Sequence, residues 1–176
     1  MPAGKRAGPR LRPATADEFE RLVAIENDAE AALIEAGVPL PPDYPTMSHE
    51  DLARALAAGW LVVAVDDDDR PIGFLAAEVW EAGLMITELD VERRLQGQGI
   101  GRALMEHALA RARRRGLWGA MLTTDRLAPF NRRFYETLGF VACTDDVPAT
   151  LRAVLAREVK LGLAPERRVA MVLRFA

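Results

Sequence analysis

Three apolar runs that lie close together constrain the fold of this chain more than any other feature. Residues 60–65 (WLVVAV), 72–80 (IGFLAAEVW) and 84–91 (LMITELDV) are separated only by the short segments 66–71 and 81–83. Runs of this length that are bounded by turn residues are typical of strands, and tight turns join antiparallel neighbours. We therefore predict a three-stranded antiparallel meander, in which the four consecutive aspartates form a solvated hairpin tip rather than a cation site.

The segments on either side of this meander alternate between helical and strand patterns. Thr15 and Glu18 form a capping-box pattern, and Ser48 is placed to cap a second helix that Gly59 ends. Four prolines within residues 37–45 predict a loop between these two helices. The predicted elements are a strand at 10–14, helices at about 16–35 and 49–59, the meander, a helix at 100–115, a strand at 116–124, a helix at 128–139, a strand at 140–143, a helix at 148–162 and a strand at 167–175.

The element order predicts an α/β (α+β) fold with one domain over residues 9–176, after a mobile tail at 1–8. The chain has 176 residues, of which 50% are hydrophobic and 28% charged, with a net charge of -3. No apolar run approaches the ~20 residues that cross a bilayer, and no signal peptide is evident. A single cysteine, Cys143, and two distant histidines exclude an internal disulfide and argue against a zinc site. We expect a cytoplasmic protein without a metal.

A glycine-rich segment at 93–105 (RRLQGQGIGRALM) follows the last strand of the meander and opens a helix. The spacing of Gly97, Gly99 and Gly101 fits neither the dinucleotide fingerprint nor the P-loop. Free amide groups of a first helical turn attract oxyanions, and glycines remove the β-carbons that would keep a phosphate at a distance. Seven arginines between positions 93 and 115 stand against one acid, Glu106. The segment therefore predicts an anionic ligand.

Two motifs in this part of the chain resemble a known family. Residues 96–101 (QGQGIG) resemble the Q/R-x-x-G-x-G/A pyrophosphate loop of the GNAT N-acetyltransferase superfamily, and residues 131–140 (NRRFYETLGF) resemble its second signature. The resemblance covers about residues 84–142. It implies a GNAT-like, mostly antiparallel sheet of six to seven strands, flanked by helices and splayed at the cofactor-binding strand. It also implies acetyl-CoA as co-substrate and a primary amine of a small molecule, or of a peptide, as acceptor.

The resemblance also implies which residues hold the cofactor. The backbone of one strand is expected to bind the pantetheine arm, and the glycine-rich loop to bind the pyrophosphate, mostly through main-chain N–H groups. Asn131 is placed for a further contact, although many relatives carry this asparagine about seven residues before the tyrosine, where this chain has Ala128. The expected cofactor-binding residues are Leu89, Asp90, Val91, Gln96, Gly97, Gln98, Gly99, Ile100, Gly101, Arg102 and Asn131.

The chemistry of amine acetylation requires a base and an acid. An alkylamine with a pKa of ~10.4 must lose a proton before it attacks, and the departing thiolate benefits from a proton donor. By its match to the second signature Tyr135 is the expected acid, with a core aromatic role as the alternative. Glu88 is the expected base, with a solvent-facing strand position as the alternative. Other carboxylates (Glu78, Glu81 and Asp90) stay open as bases, whereas His49, His107 and Cys143 are expected to be structural.

The acceptor pocket is less determined by the sequence. Relatives shape it from the first two helices and their connection, which here offers Glu26 and Glu30 as ammonium partners, with Tyr44 and Trp80 as lining residues. We expect a small-molecule amine as partner, no nucleic acid, no membrane, and a homodimer. The alternative function is a non-catalytic acyl-CoA-binding sensor. Nucleic-acid binding through the basic helix and the N-terminal tail is disfavoured by the net acidity.

Overall fold

The computed structural model describes residues 8–176, so the predicted mobile tail lies outside the described residues except for Gly8. The elements are β1 (Arg10–Pro13), α1 (Phe19–Glu35), α2 (His49–Ala57), β2 (Leu61–Val65), β3 (Pro71–Trp80), β4 (Gly83–Val91), α3 (Ile100–Arg114), β5 (Gly119–Asp125), α4 (Asn131–Thr137), β6 (Val141–Ala142), α5 (Ala149–Lys160) and β7 (Arg168–Arg174). Short 3₁₀ turns precede α1, α3 and β7. The α/β prediction is confirmed.

One mixed sheet of seven strands runs in the order β1-β2-β3-β4-β5-β7-β6. The predicted meander is confirmed, because β2 pairs with β3 and β3 with β4, both antiparallel. The aspartate-rich turn is a hairpin tip, as predicted, and Asp69 there pairs with Arg10 and Arg12 of β1. Only the β4–β5 pair is parallel.

The helix starts follow the capping patterns of the sequence. The Thr15 N–H donates to Glu18 Oε2 at 2.9 Å, which completes the predicted capping box. The Ser48 hydroxyl accepts the Asp51 N–H at 3.1 Å and caps α2. The helical geometry of α1 begins three residues later than predicted, because residues 16–18 form a 3₁₀ turn.

The C-terminal part of the sheet differs most from the sequence prediction. The strand predicted at 140–143 is only two residues long, and β7 inserts between β5 and β6. A long β5–β7 pairing over seven residues explains this order, since it buries the apolar β7 in the sheet and leaves β6 as a short edge. No helix among residues 8–176 has the length and apolar character needed to span a bilayer.

Two helical layers cover the sheet. On one face, α3 buries Leu104 and Met105 against Leu75 and Leu84 of the sheet, and α4 packs beside it. The opposite face carries α1 and α2, which pack on β2 and β3, and α5, which packs on Met85 and Met121. At the end of α3, the guanidinium groups of Arg111 and Arg115 lie over the Trp60 ring at 4.9 and 5.1 Å.

The sheet opens between β4 and β5. Their parallel pairing is limited to Leu84 with Ala120 and Met85 with Met121. Just beyond it, Ala76 of β3 faces Glu88 while Ala77 faces Ile86, which leaves Thr87 as a bulged residue. Because β5 stays paired to β7 while β4 follows β3, the strands diverge and β4 has no ladder partner on its β5 side beyond Met85. The predicted splay is therefore confirmed.

Candidate active site

The opening between β4 and β5 leads into a cleft of about 1240 Å³. Sixteen of the seventeen residues that the sequence proposed for a site line this cleft: Glu26, Glu30, Tyr44, Trp80, Glu88, Leu89, Asp90, Val91, Gln96, Gly97, Gly99, Ile100, Gly101, Arg102, Asn131 and Tyr135. Gln98 is the exception, because it does not line the cleft, and the expected role of its main-chain N–H stays a prediction. Its side-chain amide donates to the Arg94 carbonyl at 3.5 Å, along the loop itself.

The glycine-rich loop presents a continuous row of free amide groups. The N–H groups of residues 97–102 find no acceptor within residues 8–176, and the first helical bond of α3 is donated by Ala103 to Gly99 at 3.0 Å. Gly97 and Gly99 hold φ angles of 73° and 86°, a conformation that favours glycine. A β-carbon at either position would meet no atom within 4 Å, so the space in front of them is open. This geometry fits a phosphate group.

Fewer arginines near the loop are free to bind an anion than the number counted in the sequence. Arg93 pairs with Glu35, and Arg94 with Glu92 at 2.7 Å, so neither guanidinium is free. Arg102 donates to the Thr137 hydroxyl of α4 at 2.5 Å, has only a looser contact with Glu106 at 3.5 Å, and lines the cleft. The attraction for an anion therefore rests on the amide row and Arg102 rather than on the full arginine run. The Gln96 side chain donates to the Val91 carbonyl at 3.1 Å and ties the loop to β4.

Tyr135 lies on α4 at the junction of the core and the cleft. Its ring packs edge-on against Phe134 and Phe140, with centroids 5.1 and 5.9 Å apart. Its hydroxyl makes no hydrogen bond within residues 8–176, and the side chain lines the cleft. Burial, followed by the nearby Glu88 and Asp90, raises the pKa of Tyr135 above its ordinary value. The hydroxyl therefore stays protonated at neutral pH and can donate a proton.

Four carboxyl groups line the cleft where α1 crosses the free end of β4. Glu88 and Asp90 lie two residues apart on one face of β4. Glu26 and Glu30 lie one turn apart on α1. We name these four residues the carboxyl cluster. One of its oxygens, Asp90 Oδ2, is buried without any hydrogen-bond partner in the described part of the chain.

The pKa of every carboxyl group in this cluster is raised. Burial and then Glu88 raise the pKa of Glu26 to about 8, and burial and then Glu26 raise the pKa of Asp90 to about 8. Burial and then Asp90 hold the pKa of Glu88 well above its ordinary value, and burial raises the pKa of Glu30. A carboxyl group with a pKa near the working pH is suited to accept a proton from an amine.

Among the other bases left open by the sequence, Glu78 is engaged by Arg54 at 2.9 Å and by the Trp80 indole at 2.8 Å. Glu81 sits at the β3–β4 turn and does not line the cleft. His49 and His107 do not line the cleft either. Glu26 also has the buried position and raised pKa expected of a base, whereas the resemblance implied for it only a role as an ammonium partner.

Glu26 also anchors the loop between α1 and α2. Both of its carboxyl oxygens lie 3.0 Å from the Met47 N–H, just before α2 begins. Tyr44 of the same loop is half-buried in the cleft wall, and burial, followed by Glu158, raises its pKa to about 12. The loop is therefore held against the cleft by a buried carboxyl group.

The far wall of the cleft comes from α5, for which the sequence indicated no role in the site. Glu158 of α5 accepts the Thr123 hydroxyl at 2.5 Å and pairs with Arg168 at 2.9 Å. At the end of α5, a β-carbon on Gly162 would lie 2.9 Å from Pro41, so α5 and the proline loop meet closely. No local pattern identifies these residues, because their contacts join positions far apart in the chain.

Comparison with known proteins agrees with the motifs. The profile of the Acetyltransferase (GNAT) family matches residues 21–140. Peptidyl-lysine N-acetyltransferase YjaB of Escherichia coli (strain K12) is 35% identical over 106 residues, which cover 58% of this chain and 65% of that protein. Streptothricin acetyltransferase of Streptomyces lavendulae is 35% identical over 83 residues, which cover 46% of this chain and 44% of that protein. The chain thus spans less than two thirds of both relatives.

Solved structures share the fold at low sequence identity. The crystal structure of the PaiA N-acetyltransferase from Thermoplasma acidophilum in complex with coenzyme A superposes with a TM-score of 0.74. The match covers 96% of this chain and 100% of that chain, at 15% identity. The likeness is therefore one of fold.

Proposed function

The chain belongs to the GNAT acetyltransferase family, and from this premise we propose that it is an acetyl-CoA-dependent N-acetyltransferase. The acetyl group passes directly to a primary amine of a small molecule or a peptide. The observation that carries the proposal is the row of six amide groups, residues 97–102, that have no acceptor within residues 8–176 and open onto the splayed edge of β4. Six successive N–H donors, with open space in front of Gly97 and Gly99, suit the oxygens of a diphosphate.

Different residues of the cleft bind different parts of acetyl-CoA. The amides of 97–102 and Arg102 hold the diphosphate, and the unpaired edge of β4 at Leu89–Val91 binds the amides of the pantetheine arm. Bound acetyl-CoA supplies an acyl thioester. Asn131 lines the cleft at the start of α4, beside this path, and is our candidate for a further contact.

The proton transfers use the carboxyl cluster and Tyr135. The acceptor amine gives up a proton to Glu88. The neighbouring carboxyl groups of Asp90 and Glu26 assist this transfer, because their pKa values are also raised. The new bond joins the amine nitrogen to the acetyl carbon as the carbon–sulfur bond breaks. The leaving thiolate takes the proton of Tyr135, whose raised pKa keeps it protonated until that point, and the second proton released by the acylated nitrogen restores the tyrosine hydroxyl. No covalent acyl-enzyme is needed, and Cys143 does not line the cleft.

The loop is tested with a matched pair of glycine variants. Gly99→Glu puts a side chain and a negative charge in front of the amide row, so we expect acetyl-CoA affinity to fall at least 100-fold. Gly116→Glu is the control, since Gly116 also has a positive φ, 71°, and open space around it, at the far end of α3. Calorimetry with acetyl-CoA measures both variants.

Equal affinities of the two variants would contradict the proposed loop. Release of free thiol in the presence of an amine panel then separates an enzyme from a sensor that binds acyl-CoA without turnover. Binding without thiol release across polyamines, aminoglycosides, arylalkylamines, amino acids and peptides would favour the sensor.

A further inference from the structure

Most cations of the cleft already have carboxylate partners. Arg54 pairs with Asp51 and with Glu78, and Arg168 pairs with Glu158. Arg157 lines the far wall and forms no salt bridge within residues 8–176, but its side chain is exposed. The walls of the cleft are thus close to charge balance, except at one place.

That place is the carboxyl cluster, Glu26, Glu30, Glu88 and Asp90. None of its members forms a salt bridge in the described part of the chain, although all four line the cleft. Glu26 is 3% exposed, and Asp90 Oδ2 is buried with no partner. A buried carboxyl group is costly as an anion unless a cation or donor satisfies it, so these groups hold protons when no cation lies beside them, and a cationic ligand would allow them to ionise.

The arrangement fits ammonium groups rather than a metal ion. Within residues 8–176 no group of three or more histidine, cysteine or acidic side chains is spaced to hold a metal. Two carboxyl groups lie on α1 and two on β4, so the cluster extends along the cleft wall instead of converging on one point. The walls beside it carry apolar side chains, among them Leu33, Leu40 and Met47, which suit methylene groups.

The number of charges decides the class of acceptor. The amine that reacts must lose its positive charge before it attacks, so it cannot neutralise the cluster during the reaction. A second, permanent ammonium group on the same molecule would do so. We infer that the acceptor is an alkyl diamine or polyamine, whose second ammonium group is held by Glu30 and Glu26 while the first amine meets Glu88. This inference rests on the proposed acetyl transfer and names its acceptor class.

Two acceptors that differ only in one charge test the inference. They are 1,4-diaminobutane and 4-amino-1-butanol, which share a reacting primary amine and a four-carbon chain. We expect kcat/KM for acetyl-CoA-dependent thiol release to be at least tenfold higher for the diamine. We also expect 0.5 M NaCl to narrow that ratio, because screening weakens an ammonium–carboxylate contact.

A pair of variants on α1 locates the effect. Glu30→Gln removes one charge of the cluster and should lower the diamine-to-aminoalcohol ratio several-fold. Glu20→Gln makes the same change outside the cleft, where the Glu20 side chain is 85% exposed and lies 3.2 Å from His49, and should leave the ratio unchanged. A ratio that responds equally to both variants overturns the role of the cluster.

The outcomes separate this inference from the proposed function. Equal or greater kcat/KM for the aminoalcohol overturns the polyamine inference while acetyl transfer stands. If neither acceptor is turned over, calorimetry of each acceptor with enzyme saturated in desulfo-CoA decides, and equal or absent binding of the diamine overturns the inference. Failure of the proposed function is seen separately, either as the absence of any acetyl-CoA binding or as binding without thiol release across the whole amine panel.

Discussion

The protonation of Glu26 should make the stability of the protein depend on pH. Glu26 is 3% exposed, and its pKa rises from the ordinary value of 4.5 to about 8. The folded state therefore holds this proton more tightly than the unfolded chain does. The resulting stabilisation is complete below about pH 4.5 and is lost as the pH rises towards 8. With ~1.36 kcal/mol for each pKa unit, the loss between pH 6 and pH 8 is about 2 kcal/mol.

Glu26→Gln removes this titration and retains an amide oxygen that can accept the Met47 N–H. Urea unfolding of both proteins at pH 6 and pH 8 gives their free energies of unfolding. We expect the wild-type value to fall by about 2 kcal/mol more than that of the variant over this interval. Glu20→Gln, on the exposed side of the same helix, should retain the wild-type slope. Parallel pH dependences of Glu26→Gln and wild type would refute the argument.

Other predictions concern catalysis and the far wall. Tyr135→Phe should lower kcat about 100-fold and leave the Kd of acetyl-CoA within about twofold, and full activity in steady-state assays would exclude the acid role. Because Glu26 and Asp90 have pKa values of about 8, kcat/KM should rise with pH and level off near 8; a continued rise to ~10.4, the pKa of the acceptor, would show that only the amine titrates. Glu158→Gln leaves Arg168 without its partner and should reduce the free energy of unfolding by about 2 kcal/mol in urea melts, with an unchanged value counting against this contact.

The sequence predicted most of the site at the level of segments. The glycine loop, Tyr135 and the end of β4 carry local signals, since their spacing specifies backbone geometry and matches known motifs. Gln98 was included by its place in the motif, yet its side chain lies along the loop because alternate residues of a loop need not face the same side. The arginines at 93 and 94 added a charge that their carboxylate partners remove.

The acceptor side could not be predicted to the same depth. Glu26 and Glu30 were recognised as ammonium partners, but nothing local reveals that they meet Glu88 and Asp90, some sixty residues away. Their raised pKa values follow from burial and mutual repulsion, and both depend on packing. The helix that carries Glu158 was predicted from the sequence without a role in the site, and its position beside the cleft follows only from the insertion of β7.

By itself, the sequence determined the local geometry: the meander, the caps of α1 and α2, and a glycine loop whose left-handed residues leave the amides of a helix start free. These features depend on neighbouring residues, so a linear pattern is sufficient to specify them. The tertiary structure alone decided where β4 leaves β5, which carboxyl groups are buried beside one another, and that α5 closes the cleft. Such features depend on distances and dielectric surroundings between residues remote in the chain, which exist only after the helices have packed on the sheet.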